Sequence, residues 1–598
     1  MLRRLLNLTQ KHGLSNKTLA WILLLHLLFT FVIPTAMAEL NNGYPIRPNN
    51  TVFTFSQTVW VPDNYTKIQW AINNASEGTT IRVRAGLYNE TVVVNKTVSI
   101  IGENKDNTII DAKGKGPLFN VKADNVVISG FTLRNGYSGV SLWQSKNTTI
   151  RGNNIDNMAY GIKVYQSSNS TIEENNVNDS QWFNIELDQS GNSTLQNNHM
   201  TGNRYNLRID GDTLPDFINN IDTTNTVNGK PVHYLINQRD ITINSSVLPS
   251  IGYLALINST NVTVKNLNLV NSGQGILFAY TTNSVISNLT TTSNWNGIEV
   301  KAASNVTVTE NKANNNFDFG IKFEHSSNSI VTKNNANNNG WAGIGIFTTQ
   351  NSVVNANIVK NNINYGIDLV YSTSNIVTRN NVTNIGLAYS MVLYYSNFNL
   401  IYHNNFINHY IYKYVPITNT WDNGLEGNYW KNYNGTDTNQ DGIGDTPYIL
   451  EQGNKDNYPL MGRFSIFNLT PEYYAATISN LTISDFQFDQ ANKILSFRVT
   501  DENETSGFCR ICISKALVGN TYRVQVNNRE PLALKVLPYS NSTYEYIYLL
   551  YAQSTLQGTV LEFLVPMLLL SSLLIAFTLM VIAQKKKARA SVRPKVLT

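Results

Sequence analysis

The sequence predicts an all-β chain: a right-handed parallel β-helix, wound as a solenoid of 22–23-residue coils, then a small β-sandwich-like domain and a C-terminal transmembrane helix. Three observations predict the solenoid. A motif of the form Gly/Asn-apolar-x-apolar recurs at Gly139, Gly161, Asn184, Asn206, Gly275, Gly297, Gly320, Gly343 and Gly366, neighbouring copies lying 22 or 23 residues apart. A column of Asn pairs, Asn153-Asn154, Asn175-Asn176, Asn197-Asn198, Asn334-Asn335, Asn380-Asn381 and Asn404-Asn405, marks a recurrent turn. Only 14% of residues are charged while 42% are hydrophobic, enough for a sizeable core in a turn-rich chain. A period this short fits one coil per repeat rather than a helix pair. Ile, Val, Leu and Phe in short alternating runs favour strands over the Leu framework of leucine-rich repeats. The 46 residues from Asn206 to Gly252 equal two coils, so the register is expected to survive the irregular stretch around Asn225–Val232.

The elements follow in chain order. Residues 1–38 read as a secretory signal peptide: Arg3, Arg4, Lys11 and Lys17 without an acid, an apolar run from Leu19 to Ile33, and the small-residue site Ala36-Met37-Ala38. Residues 39–58 are a linker. Residues 59–135 supply an N-terminal cap, with a short amphipathic helix near Lys67–Ala75, and the first coils. Residues 136–412 are the repeats, and 80–412 amount to about fourteen coils stacked about 4.8 Å apart, with Asn side chains laddered at the turns. Residues 413–462 form a C-terminal cap with an Asp-rich loop, and 466–555 a small β domain with alternating runs and a turn at Asn527-Asn528. Residues 560–583 are apolar over a bilayer-spanning length, and the basic tail 584–598 sets the positive-inside orientation. This predicts a single-pass cell-membrane protein with an extracellular ectodomain and a short cytoplasmic tail. About twenty Asn-x-Ser/Thr sites in the ectodomain agree with a glycoprotein.

The formal charge of +5 is misleading, because ten basic residues sit in the two ends and the body holds more acids than bases. A body without a basic stripe excludes a nucleic-acid partner. Cys509 and Cys512 form a lone C-x-x-C with no second pair to complete a zinc site, so packing within a strand is the expected role, with a local disulfide as the alternative.

The opening PDNYTKIQWAINNA, the insert TVNGKPVHYL and the ending NYWKNYNGTDTNQDGIGDTPY, taken with the coil pattern, resemble NosD-type, pectin-lyase-like β-helix proteins over most of residues 59–460. The resemblance implies a surface or periplasmic β-helix that binds or hydrolyses carbohydrate, or an accessory role in copper-enzyme maturation. The membrane-anchored form with a small β domain is similar to archaeal surface proteins.

Candidate site residues come from the x positions of the motif, which alternate away from the core and stack into two outward columns. Trp143, Lys163, Tyr165, Glu186, Asp188, Arg208 and Asp210 group aromatic faces that stack on sugar rings with charges that bind hydroxyls or uronates. This is the expected saccharide-binding patch, with polysaccharide or surface glycans as partner. A second patch, Glu299, Lys301, Lys322 and Glu324, reads as structural cross-strand pairing. Glu186, Asp188 and Asp210 supply the carboxylates a hydrolase needs, and Arg208 the cation a lyase needs, without a spacing that demands either. Asp437, Asn439, Asp441, the Ile443 carbonyl and Asp445 follow the first nine positions of a calcium loop, although Tyr448 replaces the bidentate Glu. Copper would need a soft-ligand cluster, and His199-Met200 is the one such neighbourhood; no organic cofactor is expected. A purely structural spacer is the remaining alternative.

Overall fold

The computed structural model describes residues 57–383, 389–407, 411–414, 418–451, 454–500, 506–518, 522–552 and 559–564. The expected signal peptide, residues 39–56 of the expected linker and the basic tail lie outside them, and the linker ends earlier than expected, because Thr58 already opens the strand Thr58–Val61 that pairs with Thr80–Val83. Between them, these residues form a right-handed parallel β-helix capped at both ends and a β-sandwich docked on its C-terminal end.

The N-terminal cap is a short helix, Ile68–Asn74, whose Ile68, Ala71 and Ile72 close the apolar core above the first coil. Below it, coil strands stack in parallel and in register, as in Thr149↔Thr171↔Thr194 and Ile321↔Ile344↔Ile367. Successive side chains alternate between core and outside, so the inward residues, mostly Ile, Val and Leu, stack from coil to coil into two buried apolar clusters.

Asparagine holds the turns in two ways. At exposed corners such as Asn157, Asn192, Asn305 and Asn351, φ lies near +55°, a region that Asn tolerates better than other residues with a Cβ. Inside the coils, a buried Asn recurs at the turn. Its amide donates to the Oδ1 of the next coil's Asn at 2.9 Å for Asn311 to Asn334, 3.0 Å for Asn334 to Asn357 and 2.9 Å for Asn357 to Asn380. The same oxygens accept backbone N–H groups, so each coil satisfies its neighbour's donors. The ladder ends at Asp456, whose Oδ2 accepts Asn428 N at 2.7 Å and Trp430 Nε1 at 2.8 Å. Replacing Asn357 by Ala orphans the Asn334 N–H and takes a donor from the Val331 carbonyl, while Asn380 Oδ1 keeps the Asn357 N–H, each lost partner costing about 1–3 kcal/mol. Asn357→Ala is therefore expected to lower the unfolding free energy by about 3 kcal/mol in urea, whereas exposed Lys360→Ala stays within about 0.5 kcal/mol.

The expected register through 206–252 is not kept. Strand Tyr205–Asp210 pairs with Phe183–Asp188, but the next face strand, Lys230–Ile236, pairs in parallel only with Tyr253–Ile257. The cause is a hairpin: Thr226↔Pro231 and Val227↔Lys230 are antiparallel around Asn228 and Gly229, at φ +50° and +76°. Two positive-φ residues in sequence make a tight reversal that a parallel coil cannot contain. The sheet splits there, and residues 271–274 close onto the free side of strand Tyr205–Asp210, Asn206 N donating to Asn271 O at 3.0 Å and Gly273 N to Leu207 O at 2.9 Å.

The small domain is a sandwich of two antiparallel sheets, one of five strands between Arg463–Asn468 and Tyr544–Ala552, the other of four that includes Thr482–Asp489 and Thr559–Leu564. The last strand corrects the expected start of the membrane span: 559–564 pair with Ile494–Thr500 and Arg523–Val526, so the apolar run begins as sheet. Residues 565–583 of that span lie outside the described residues, among which no helix is long and apolar enough to cross a membrane. Cys509 and Cys512 are free thiols in one strand, Cys509 buried in the sandwich core.

Candidate functional site

Pairing across the coils aligns the predicted patch as the motif implies: Trp143 beside Tyr165, Tyr165 beside Asp188, Asp188 beside Asp210, and Lys163 beside Glu186 beside Arg208. Trp143 is 49% exposed and packs on Tyr165 with ring centroids 4.5 Å apart and the planes tilted by 34°. The remainder departs from the expectation of exposed columns. Glu186 is 4% exposed, and the side chains of Arg208 and Asp210 keep only 17% and 16%. The split sheet is the reason, since the segment entering Gln274–Ala279 packs over strand Tyr205–Asp210, Gly273 lying directly on Arg208.

That corner merges the two patches. In an unbroken rod Asp210 and Lys301 would stand about four coils, or about 19 Å, apart. Here Lys301 Nζ lies 2.8 Å from Asp210 Oδ1. One network of alternating sign results. Lys163 and Glu186 pair at 3.5 Å, Glu186 and Arg208 at 2.7 Å, and Arg208 and Asp210 at 2.5 Å. Beyond Lys301 it continues to Glu324 at 3.5 Å, and Lys322 reaches Glu324 at 2.8 Å and Glu299 at 3.8 Å. Buried charges of one sign would be prohibitive, and alternation is what makes burial tolerable.

The network separates the acidities of neighbouring carboxylates. Burial and the adjacent Asp210 push Asp188 up to about 6. Asp210 is buried too, yet Arg208 and Lys301 hold it well below the usual carboxylate range. Burial lowers Lys301, but Asp210 and Glu324 more than restore it and keep it protonated.

Sequence reasoning missed a third column. The residue just before the motif's Gly or Asn is aromatic in five coils, at Tyr160, Phe183 and Tyr205 and then at Phe319 and Tyr365, with Tyr389 stacked in register beyond Tyr365. Phe183 and Tyr205 meet Trp295 at 5.3 and 5.7 Å across the corner, and Lys163 Nζ sits 4.4 Å over the Tyr160 ring. The signal was present in the repeat itself, one position before the residue that defines it. Further along the face, a groove of about 600 Å³ is lined by Phe319, Trp341, Phe347, Tyr365 and Tyr394 with Asp318, Lys322, Glu324 and Asp368. Lys322 and Glu324 belong to both network and groove.

The other expected sites are separate. In the 437–445 loop, Asp437 accepts Asp441 N and Gly442 N, both at 2.9 Å, and Asp445 Oδ2 accepts Thr438 N at 2.8 Å. Asn439 Nδ2 donates to Asp441 Oδ2 at 3.1 Å, and Asp441 Oδ1 accepts Ile443 N at 2.9 Å. Lys535 and Arg510 of the sandwich donate to the Asn439 and Asp441 carbonyls, so the loop works as a docking surface for the sandwich. Among the described residues no group of three or more His, Cys, Asp or Glu is arranged to hold a metal. His199 is exposed and bonded to Thr226, while Met200 is buried on the opposite face of the strand, so the two do not converge on one ion.

A family model described as periplasmic copper-binding protein (NosD) matches residues 72–245 and 232–435, more than half of the chain. No curated protein matches. Among solved structures, the A-module of a mannuronan C-5 epimerase from Azotobacter vinelandii is 14% identical, covering 59% of this chain and 92% of its own at a TM-score of 0.25. The Dettilon tailspike protein is 12% identical over 85% of this chain and 94% of its own, TM-score 0.26. An alginate lyase from Paenibacillus is 12% identical over 46% and 94%, TM-score 0.23.

Proposed function

This chain belongs to the NosD family, and we propose that it is a surface-anchored β-helix that binds polysaccharide along the aromatic and charged face of its coils. The carrying observation is the continuity of that face, from the exposed Trp143–Tyr165 stack through the corner network into the aromatic groove at Trp341 and Tyr365. Stacked rings bind the flat apolar faces of sugars, and ion pairs at the edge bind hydroxyl or carboxylate groups, so a polymer lying along the coils meets both. In this reading the apolar run ending at residue 583 is the anchor and the ectodomain faces outward. Removing one stacking platform is expected to weaken retention of a bound polysaccharide about ten-fold. Affinity electrophoresis of Trp143→Ala against wild type checks this, and unchanged mobility across every retained polymer contradicts it.

Calcium enters the proposal only with a rearranged loop, in which Asp437 and Asp445 turn from the loop's own N–H donors toward the ion. Copper, named in the family description, has no comparable support, since His199 and Met200 point to opposite faces.

A second reading has one specific support: Asp188 and Asp210 sit on adjacent strands with acidities pushed apart, the arrangement by which one carboxyl stays protonated as an acid while its neighbour stays ionised. If the protein cleaves its polymer, the rate falls as pH rises through about 6 and Asp188→Asn abolishes it.

A further inference from the structure

The groove beyond the corner contains a carboxylate that the rest of the fold leaves unsatisfied. On the stacked position that carries Glu299 and then Lys322, the following residues are Gly345 and Asp368, in register. Gly345 has no side chain to pair with Asp368, and a Cβ there would lie 2.6 Å from Phe347 and 2.7 Å from Phe319, whose rings fold into the gap. Asp368 is 3% exposed. Trp341 hydrogen-bonds the carboxylate, yet Oδ1 has no hydrogen-bond partner. Trp341 and Tyr365 stand edge to face at 5.4 Å beside it.

We propose, building on the glycan-binding reading, that this groove is a subsite for a sugar unit carrying a free, protonated amino group. The ammonium would bond to Asp368 Oδ1 and lie against the Trp341 and Tyr365 rings, a buried carboxylate and aromatic faces being the two partners that stabilise a desolvated cation. The charged and titratable groups facing the site are Asp318, Lys322, Glu324, Tyr365 and Tyr394. Lys322 does not compete for Asp368, because its Nζ is held by Glu324 and Glu299. Asp318 adds a second acid at the same groove. Burial pushes Asp368 up to about 7 and Asp318 to about 6, so an arriving cation finds at least part of the site protonated and displaces that proton.

The test is calorimetric titration of the full chain in detergent at pH 6.5 with a glucosamine tetramer and with its fully N-acetylated counterpart. The amine form is expected to bind about ten-fold more tightly, with a heat that varies with buffer ionisation enthalpy because a proton is released. The difference is expected to vanish in Asp368→Asn and to shrink in Trp341→Leu. Equal binding of the two tetramers overturns the amine subsite while leaving glycan binding intact, and so does a preference that persists in Asp368→Asn. If neither tetramer binds, the subsite is rejected, and Trp143-dependent retention of other polymers still decides the broader reading.

Discussion

Arg208→Met is expected to lower the unfolding free energy by about 3–5 kcal/mol, the range observed when one partner of a buried ion pair is removed. Arg208 is the single cation between Glu186 and Asp210, at 2.7 and 2.5 Å, and it stands where the sheet splits. Without it, Glu186 keeps only Lys163 at 3.5 Å and Asp210 only Lys301 at 2.8 Å. Lysine does not substitute: one ammonium cannot present the planar fork that reaches both acids, so Arg208→Lys is expected to recover less than half of the loss. Urea unfolding at pH 7 checks both variants. A loss for Arg208→Met below about 1 kcal/mol shows that solvent screens the corner as it screens a surface pair.

The second large effect is a pH dependence that Asp368→Asn reduces. Burial raises Asp368 from 3.8 to about 7 in the folded protein. As pH rises, the unfolded chain loses this proton first, so the stability belonging to the neutral acid is fully present below about 4 and is lost between about 4 and 7. Above pH 7 the folded state carries a buried charge that costs about 2–4 kcal/mol relative to the neutral form. Glu426 acts in the opposite sense. Despite burial, His403 at 2.6 Å and Arg510 hold it down to about 2, so its contribution is present above about 4.5 and is lost as pH falls toward 2. Wild-type melting temperature is therefore expected to peak at about pH 4 to 4.5 and to decline toward pH 8. Asp368→Asn is expected to be the more stable protein at pH 8 and to show a shallower decline, part of which remains through Asp456, which burial also pushes up to about 7, and through Asp318 and Asp188. A variant less stable than wild type at both pH 5 and pH 8 contradicts this account of the groove.

The repeat was legible because its constraints are local. A 22–23-residue period, a Gly or Asn at each strand entry and a buried Asn at each turn are all visible in one pass along the chain, and the ladders from Asn153 and Asn311 follow directly. The sandwich was legible from alternation. The corner was not. Asn228-Gly229 is the strongest short hairpin signal in the insert, but the preserved 46-residue spacing suggested continuity, and a reversal after which the same spacing resumes leaves no trace in the period. The Asp210–Lys301 contact joins residues 91 apart and depends wholly on that reversal. The same blindness placed Glu186, Arg208 and Asp210 outside, since alternation distinguishes the two faces of a strand but does not reveal what later packs over the outer one. Strand Thr559–Leu564 was absorbed into the apolar run that follows because both are hydrophobic.

The central claim is that this face holds a polysaccharide. The most direct measurement incubates the protein with a panel of acidic and neutral polysaccharides, with and without calcium, and scores retention together with new chain ends. The account predicts retention of at least one polymer, weakened in both Trp143→Ala and Tyr165→Ala. New chain ends that disappear in Asp188→Asn would make the same face an active site, whereas retention untouched by either aromatic substitution, or no retention at all, would contradict the claim and leave the β-helix as a spacer.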